Sequence, residues 1–517
     1  MSLRDNGRLS RRELLKALTL CAAGSSTLGT VLTGCRDSLV TPERLERLGG
    51  QRTARLDGKP RFLIVVGATG GASIVDGMLA VRGSEAGANA ATLNTFPDAQ
   101  VQDVPGSPFR AVKVDSRKLG SIPIPVKTDQ LPFVKKHKDT MLVATTVGTS
   151  VNHAIAQKRS LTGNAIWRGR TLQECMALQY GAGFAIPNVN MAAGGYSERG
   201  TDDALPAHCF GEVVANPSLW PLGLDGGKGI KDAPPRDVLA LARGTRNALD
   251  SRSVFGQTFD NAPALQRWNE QRIVGQPALE MKDLITRLNI LPDTPPRIPL
   301  TEYGLDSSPD GARLREVFPE YFTDPIQGQA AMAFLLLKYR VSVSVTLGPS
   351  FNVVVGGPVG IANPPLAFDI SHNDHRTGQA FMWARVMGVV DKLIELLKAE
   401  PFDDSGESMW DRTLIYVATD FGRTRTRTRT ANAAEFGSGH DLNNGVLLLS
   451  PMLRGNTVLG GVDPLTTLTY GFDPRTGAPE PGKVSSNEAD IFSGLLHTLG
   501  VDTSGSGLPD ASAFARG

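Results

Sequence analysis

The chain is poor in aromatic residues, which make up 6% of its 517 positions, and it has only four cysteines. It carries almost no net charge, a formal +2 at pH 7. Each scarcity excludes something. Proteins that hold single-stranded nucleic acid stack its bases on aromatics along a basic groove, and this composition offers neither. Four cysteines cannot frame a disulfide scaffold in so long a chain. Cys175 and Cys209 stand too far apart to be half of a zinc ribbon. No repeat of fixed period and no long low-complexity tail is present. The glycines of Gly67 to Gly71 lack both the P-loop lysine and the full Rossmann spacing. What remains, 41% hydrophobic and 21% charged, is the composition of a globular enzyme-sized chain. Its 56 glycines and 34 prolines imply long loops.

The first residues carry the most specific pattern. Ser10-Arg11-Arg12-Glu13-Leu14-Leu15-Lys16 matches the twin-arginine export pattern, and the uncharged run Ala17 to Leu32 follows. The run ends in Leu32-Thr33-Gly34-Cys35, which resembles a bacterial lipobox with Cys35 as the lipidated residue. It is short and rich in Gly, Ser and Thr, so it would span a bilayer poorly. Residues 1–34 therefore read as a twin-arginine lipoprotein signal peptide, and 35–60 as a polar tether. The expected partners are the twin-arginine translocase and a bacterial membrane, which holds the lipid. The expected location is the periplasm or cell surface. Loss of residues 1–34, which carry a net +3, turns the formal +2 into −1. A body so nearly neutral is no general polyanion binder, and nucleic acid is not an expected partner. In an oxidising compartment Cys175 and Cys209 are expected to pair.

Beyond the tether, apolar runs alternate with helical patterns. Phe62 to Val66 is continuously apolar and reads as a central parallel strand. Thr140 to Gly148, Val341 to Gly348, Thr413 to Asp420 and Gly445 to Ser450 read as further core strands. Helical periodicity covers Ala330 to Lys338, Phe381 to Leu397 and Glu488 to Val501, the last closed by Gly500. This alternation implies an α/β fold, a three-layer sandwich around a mostly parallel central sheet. Residues 61–517 read as one domain, with 186–310 as a loop-rich insertion or cap.

In such sheets the ligand crevice lies beyond the carboxyl ends of the strands. Asp420 stands at one such end, and His440 lies in the returning loop before the next strand. Ahead of the 381–397 helix, "AFDISHNDH" supplies Asp369, His372, Asp374 and His375. Three of the seven histidines thus fall between 372 and 440, each close to a carboxylate. Imidazoles mixed with carboxylates suit a divalent metal such as Zn, Mn or Fe(II).

The order "FDISHNDH", helix, "TLIYVATDFGRT", "SGHD", "GVLLLSPMLRGNTVLGGVD", "DIFSGLLHTLGV" resembles the domain-of-unknown-function 1501 family. "VNHAIAQKRSLTGN" is similar to an early segment of that family. The family is twin-arginine-exported, and its fold looks like that of the alkaline phosphatase and sulfatase superfamily. The resemblance implies an alkaline-phosphatase-like fold with two adjacent metal sites and a hydroxyl or thiol nucleophile. It implies metal ligation by Asp369, His372 (or alternatively His375) and His440, with Asp420 as the carboxylate of the second site. Three departures weaken that second site. Phe421 replaces the usual histidine, the first strand lacks its aspartate, and the Asp369–His372 spacing is one residue short. A single divalent ion, Zn, Mn or Ca, is the resulting expectation. The catalytic candidates are Ser73 and Thr69 in the first turn, and His153.

Four Arg-Thr pairs, Arg423 to Thr430, interrupt this region. The alternation fits a solvated loop or an edge ribbon with its arginines on one face. Arg423, Arg425, Arg427 and Arg429 then read as an anion guide at the mouth of the site, gathering an anionic small molecule or polymer. The functional expectation is a lipid-anchored, metal-dependent hydrolase of phosphate or sulfate esters. Its alternative is a catalytically degenerate, surface-anchored binding or assembly protein on the same scaffold.

Overall fold

The strand β1, Phe62–Gly67, has six residues and buries all of them. A run without a polar side chain has no face to give to water, so it needs neighbours and covering layers on both sides. The computed structural model describes residues 58–119, 122–163, 166–191, 199–224, 231–280, 282–293, 299–348, 367–428, 436–484 and 486–516, all within one unit, Arg52–Gly517. The export motif with Arg11 and Arg12, Cys35, all but the end of the tether, and Arg429 lie outside them.

The other strands of the central sheet are β2 (Met141–Val147), β3 (Asn188–Asn190), β4 (Glu212–Val213), β5 (Ser344–Leu347) and β6 (Thr413–Ala418). A two-residue ribbon follows, β7 (Gly422–Arg423) with β8 (His440–Asp441). Then come β9 (Asn443–Leu449), β10 (Thr457–Leu459) and β11 (Ser486–Asn487). The nine-stranded sheet runs β10-β2-β9-β6-β1-β5-β3-β4, with β11 also on β2. Every pairing in it is parallel except those of β9, which is antiparallel to β2 and β6. The sheet is thus mostly parallel, as expected. Gly67 pairs with Ala418, so the turn after β1 and the residues Thr419 and Asp420 after β6 leave the sheet side by side.

The helices that matter below are α1 (His153–Thr162), α2 (Leu172–Tyr180), α3 (Arg236–Arg252), α4 (Val254–Thr258) and α5 (Pro263–Glu270). Three more follow: α6 (Pro325–Lys338), α7 (His375–Ala399) and α8 (Glu488–Thr498). Helices α2 and α6 pack on β5, α8 on β2, and α7 on α6. The patterned stretch 381–397 is the outer part of α7, which begins six residues earlier at His375. Among the described residues no helix is long and apolar enough to cross a membrane.

Two expectations are corrected. Within 186–310, β3 and β4 form one edge of the central sheet, and much of 236–280 is helical rather than looped. Strands of three and two residues are too short to show a period in the sequence. Cys175 and Cys209 are both buried free thiols. They pack into separate apolar clusters instead of bonding to each other. Burial pushes the Cys175 thiol up to about 12 and raises Cys209 as well, so neither is a reactive thiolate.

Candidate metal centre

The turn after β1 begins the site. Gly70 and Gly71 have φ of +89° and +78°, which only glycine adopts freely. A Cβ on Gly71 would also sit 2.5 Å from Arg423 Nε. In this conformation two successive backbone N–H groups point the same way and form an anion-binding concavity. The anion they hold is internal. Gly70 N donates to Asp420 Oδ2 at 3.2 Å and Gly71 N to Oδ1 at 2.8 Å. The glycine turn is therefore a cradle for a carboxylate of the chain itself.

Asp420 passes the constraint on. Asn152 caps α1 by accepting from Ala154 N and Ile155 N, which fixes His153 as the first residue of the helix. His153 Nδ1 lies 2.6 Å from Asp420 Oδ2, and Gln157, one turn along the same face, donates to the same oxygen at 3.3 Å. An ionised carboxylate only accepts, so His153 carries its proton on Nδ1 and presents a bare Nε2. His440 is set the same way. Its Nδ1 donates to Val151 O at 3.0 Å, leaving Nε2 as the acceptor.

Asp369 and His372 lie on the single 3-10 helix Ala367–His372. Residues three apart eclipse on a 3-10 helix, so the spacing that is one short still puts both side chains on one face. His372 Nε2 is 3.2 Å from Asp369 Oδ1 and 2.9 Å from His440 Nε2. His153 Nε2 and His440 Nε2 lie 3.7 and 3.8 Å from the same oxygen. Two ligands at about 2.1 Å from one tetrahedral ion stand roughly 3.4 Å apart, so these separations suit one ion. Ligand atoms of His153, Asp369 and His440 all fall within 4.8 Å of one another.

Phe421 forms the floor. Its ring lies 4.1 Å from that of His440 and 4.6 Å from that of His153, centroid to centroid. Phe421 thus supports two imidazoles by packing. His372 is exposed, so the cluster opens to solvent on its side.

The described arginines of the ladder do not form a solvent-facing row. Arg423, Arg425 and Arg427 alternate with threonines as a ribbon would, but the face they share is turned inward. Arg423 is fully buried. It donates to Gly70 O, to Phe368 O at 3.1 Å and to Asp369 Oδ1 at 3.0 Å, and lies 3.2 Å from His372 Nε2. Arg425 pairs with buried Asp76 at 2.8 Å and also donates to Asn94 O and Thr467. Arg427 donates to Leu93 O and Ala91 O. The anion-guide reading is corrected for these three, because their donors are already committed to carbonyls and carboxylates of the chain.

The electrostatics favour an ionised Asp369 and a neutral His440. Burial alone would raise the Asp369 carboxyl, but the hydrogen bond from His372 and the charge of Arg423 hold it well below the usual range. Burial, with Arg423 nearby, lowers His440.

The remaining candidates fall elsewhere. His375 is fully buried at the start of α7, with Nε2 3.2 Å from Asp76 and no well-directed hydrogen bond, away from the Asp369 cluster. Asp420 is drawn behind His153, and its oxygens are occupied by N–H donors, so it orients the His153 ring and leaves no oxygen facing the cluster. Thr69 and Ser73 are buried in the turn, with Ser73 held between Gln379 and Trp383 through its backbone, and neither hydroxyl is open to a substrate. A second His–acid group, His137, Asp391 and Glu395, has its cation supplied by Lys136, which lies 2.7 Å from Asp391 and 3.3 Å from Glu395.

No protein-family model matches this chain, and no curated protein matches it. Among solved structures it is similar to the lipoteichoic acid synthase LtaP from Listeria monocytogenes, with 10% identity and a TM-score of 0.31. That alignment covers 92% of this chain and 82% of the other.

Proposed function

We propose that the chain holds one divalent metal ion between His153, Asp369, His372 and His440, and uses it to hydrolyse a phosphate or sulfate ester. One observation carries the reading. Asp369 Oδ1 and the Nε2 atoms of the three histidines converge, and two of those histidines have tautomers set by Asp420 and Val151 O. Asp369 Oδ1 and the bare Nε2 atoms of His153 and His440 face one another within 4.8 Å, and a cation among them would be held by all three, with His372 beside it. The donor set of three imidazoles and a carboxylate suits Zn or Mn better than Ca, which takes oxygen ligands.

When bound, such an ion would polarise an ester oxygen and lower the pKa of a water molecule. The chain's own residues do the rest. Asp420 and Val151 O keep protons on the outer ring nitrogens, Phe421 excludes water beneath the rings, and the opening beside His372 admits the substrate. Asp369 and Asp420 against Arg423 sum to one net negative charge. A divalent ion reverses that sign, which favours an anionic substrate. The architecture and the crevice beyond β1 and β6 support an alkaline-phosphatase-like scaffold of the DUF1501 type. The same reading takes Arg11, Arg12 and Cys35 as export and lipidation signals, which puts the domain on a membrane outside the cytoplasm.

Metal analysis of the purified protein tests the centre. A stoichiometric transition metal in the wild type, lost in His440→Ala, is expected; none in either refutes it. Hydrolysis of aryl phosphates and sulfates under added Zn, Mn or Ca, abolished by Asp369→Ala, is the test of catalysis. The second reading, a metal-dependent binding protein, is favoured by the burial of Thr69 and Ser73. It predicts metal without turnover. Processing of the chain at Cys35, abolished by Cys35→Ala, tests the anchor.

A further inference from the structure

The helix α3 has 17 residues and buries none of them. A helix of that length draws most of its stability from the packing of an apolar face. Its inner side is polar. Arg243 is paired with Glu280 at 2.6 Å, and Asp250 with Arg272. The opposite side is apolar and faces solvent. Val238, Leu241 and Leu249 stand 49%, 72% and 65% exposed, and the next turns add Val254, Phe255 and Phe259 at 82%, 62% and 48%. These six side chains offer on the order of 700 Å² of surface, close to what each partner of a standard interface buries. To leave so many large apolar side chains in water on two consecutive helices is uncommon for a monomer.

The stripe is symmetric about its own middle. Val238, Leu241, Thr245, Leu249 and Arg252 share one face at helical spacing. Leu241 and Leu249 are each four residues from Thr245, and Val238 and Arg252 each seven. Placed antiparallel across a two-fold axis at Thr245, Leu241 of one copy meets Leu249 of the other, twice. The ends match in charge, because Asp237 of one copy comes beside Arg252 of the other. Among the described residues neither of these two has an ion-pair partner within the chain. Gly244, on the flank of the stripe, would meet nothing within 4 Å even with a Cβ, so that side of the helix is open as well.

We infer that this face is an isologous interface, and that the chain forms a two-fold dimer through antiparallel pairing of α3. The inference does not depend on the metal centre.

Sedimentation velocity of the full chain tests it. The wild type is expected at twice the 55.1 kDa chain mass, and Leu241→Glu with Leu249→Glu at the single mass with an unchanged circular-dichroism melt. Asp237→Arg alone is expected to weaken the dimer at least tenfold, and adding Arg252→Asp to restore it. Thr245→Cys tests the axis, since its thiols should link to each other on mild oxidation, as found by peptide mapping. A monomeric wild type at 100 µM overturns the inference. So does a double-Glu variant that stays dimeric, or a monomer whose α3 leucines instead bind phosphatidylglycerol vesicles.

Discussion

Replacing Asp420 by asparagine isolates the role of a carboxylate held behind His153 by N–H donors of the chain. The side chain keeps its shape but exchanges one acceptor oxygen for a donor. In the native site Oδ2 receives Gly70 N, His153 Nδ1 and Gln157 Nε2, and Oδ1 receives Gly71 N and Phe421 N. Whichever way the amide turns, its NH2 meets at least two N–H donors. The strain is relieved if His153 moves its proton to Nε2 and accepts from the amide through Nδ1. That tautomer has no lone pair for a metal. Loss of an outer-shell partner of this kind weakens metal binding about 10- to 100-fold, or roughly 1.4–2.7 kcal/mol. Unsatisfied cradle donors cost about 1–3 kcal/mol of stability besides. Competition with a chromophoric chelator reads the first quantity, and urea unfolding of the apo-protein reads the second. An Asp420→Asn protein that unfolds more easily yet binds metal within threefold of wild type would refute the tautomer argument and leave Asp420 a purely structural residue.

Other outcomes follow from the same geometry. Phe421→Ala removes the floor under His153 and His440 and should cost about 3–5 kcal/mol in urea unfolding while loosening the metal. Arg425→Gln strands the buried charge of Asp76 and should destabilise by about 3–5 kcal/mol; a change below 1 kcal/mol would mean the pair is not buried in solution. The Asp76 and Asp369 carboxyls lie below their ordinary value of about 3.9, so the stability they contribute is complete above that pH and is lost as pH falls through their folded values. Unfolding midpoints should therefore drop below about pH 4, less steeply in Asp76→Asn. Metal affinity should also fall on acidification, because protons compete with the ion for the histidine nitrogens; an affinity flat from pH 8 to 5 would exclude histidine ligands.

Several of these groups were legible in the sequence because their signals are local. Continuous apolar runs marked β1, β2, β6 and β9, and strand-end logic marked Asp420 as belonging to the crevice. Asp369, His372 and His440 stood out as imidazoles beside carboxylates, and the structure brings them together. His153 was seen only as a catalytic candidate. Its place in the cluster depends on a contact with Asp420, 267 residues away, that no spacing reveals. The Arg-Thr ladder misled for a different reason. Strict alternation says that the arginines share a face, but not which face, because both of its sides are polar. Inward arginines require carbonyls and carboxylates to receive them, and Gly70, Phe368, Asp369 and Asp76 come from elsewhere in the chain.

The buried guanidinium of Arg423 bears on the order of events in the life of the protein. An arginine does not give up its proton, so Asp369 has a permanent counter-charge whether or not a metal is present. Asp369 is then neutralised from within the chain, and the sheet rim need not wait for an ion before it closes. Folding and loading become separate steps. A chain of this design can reach its native state in one compartment and acquire its metal in another, with occupancy set by the local supply of the ion and not by the history of the fold.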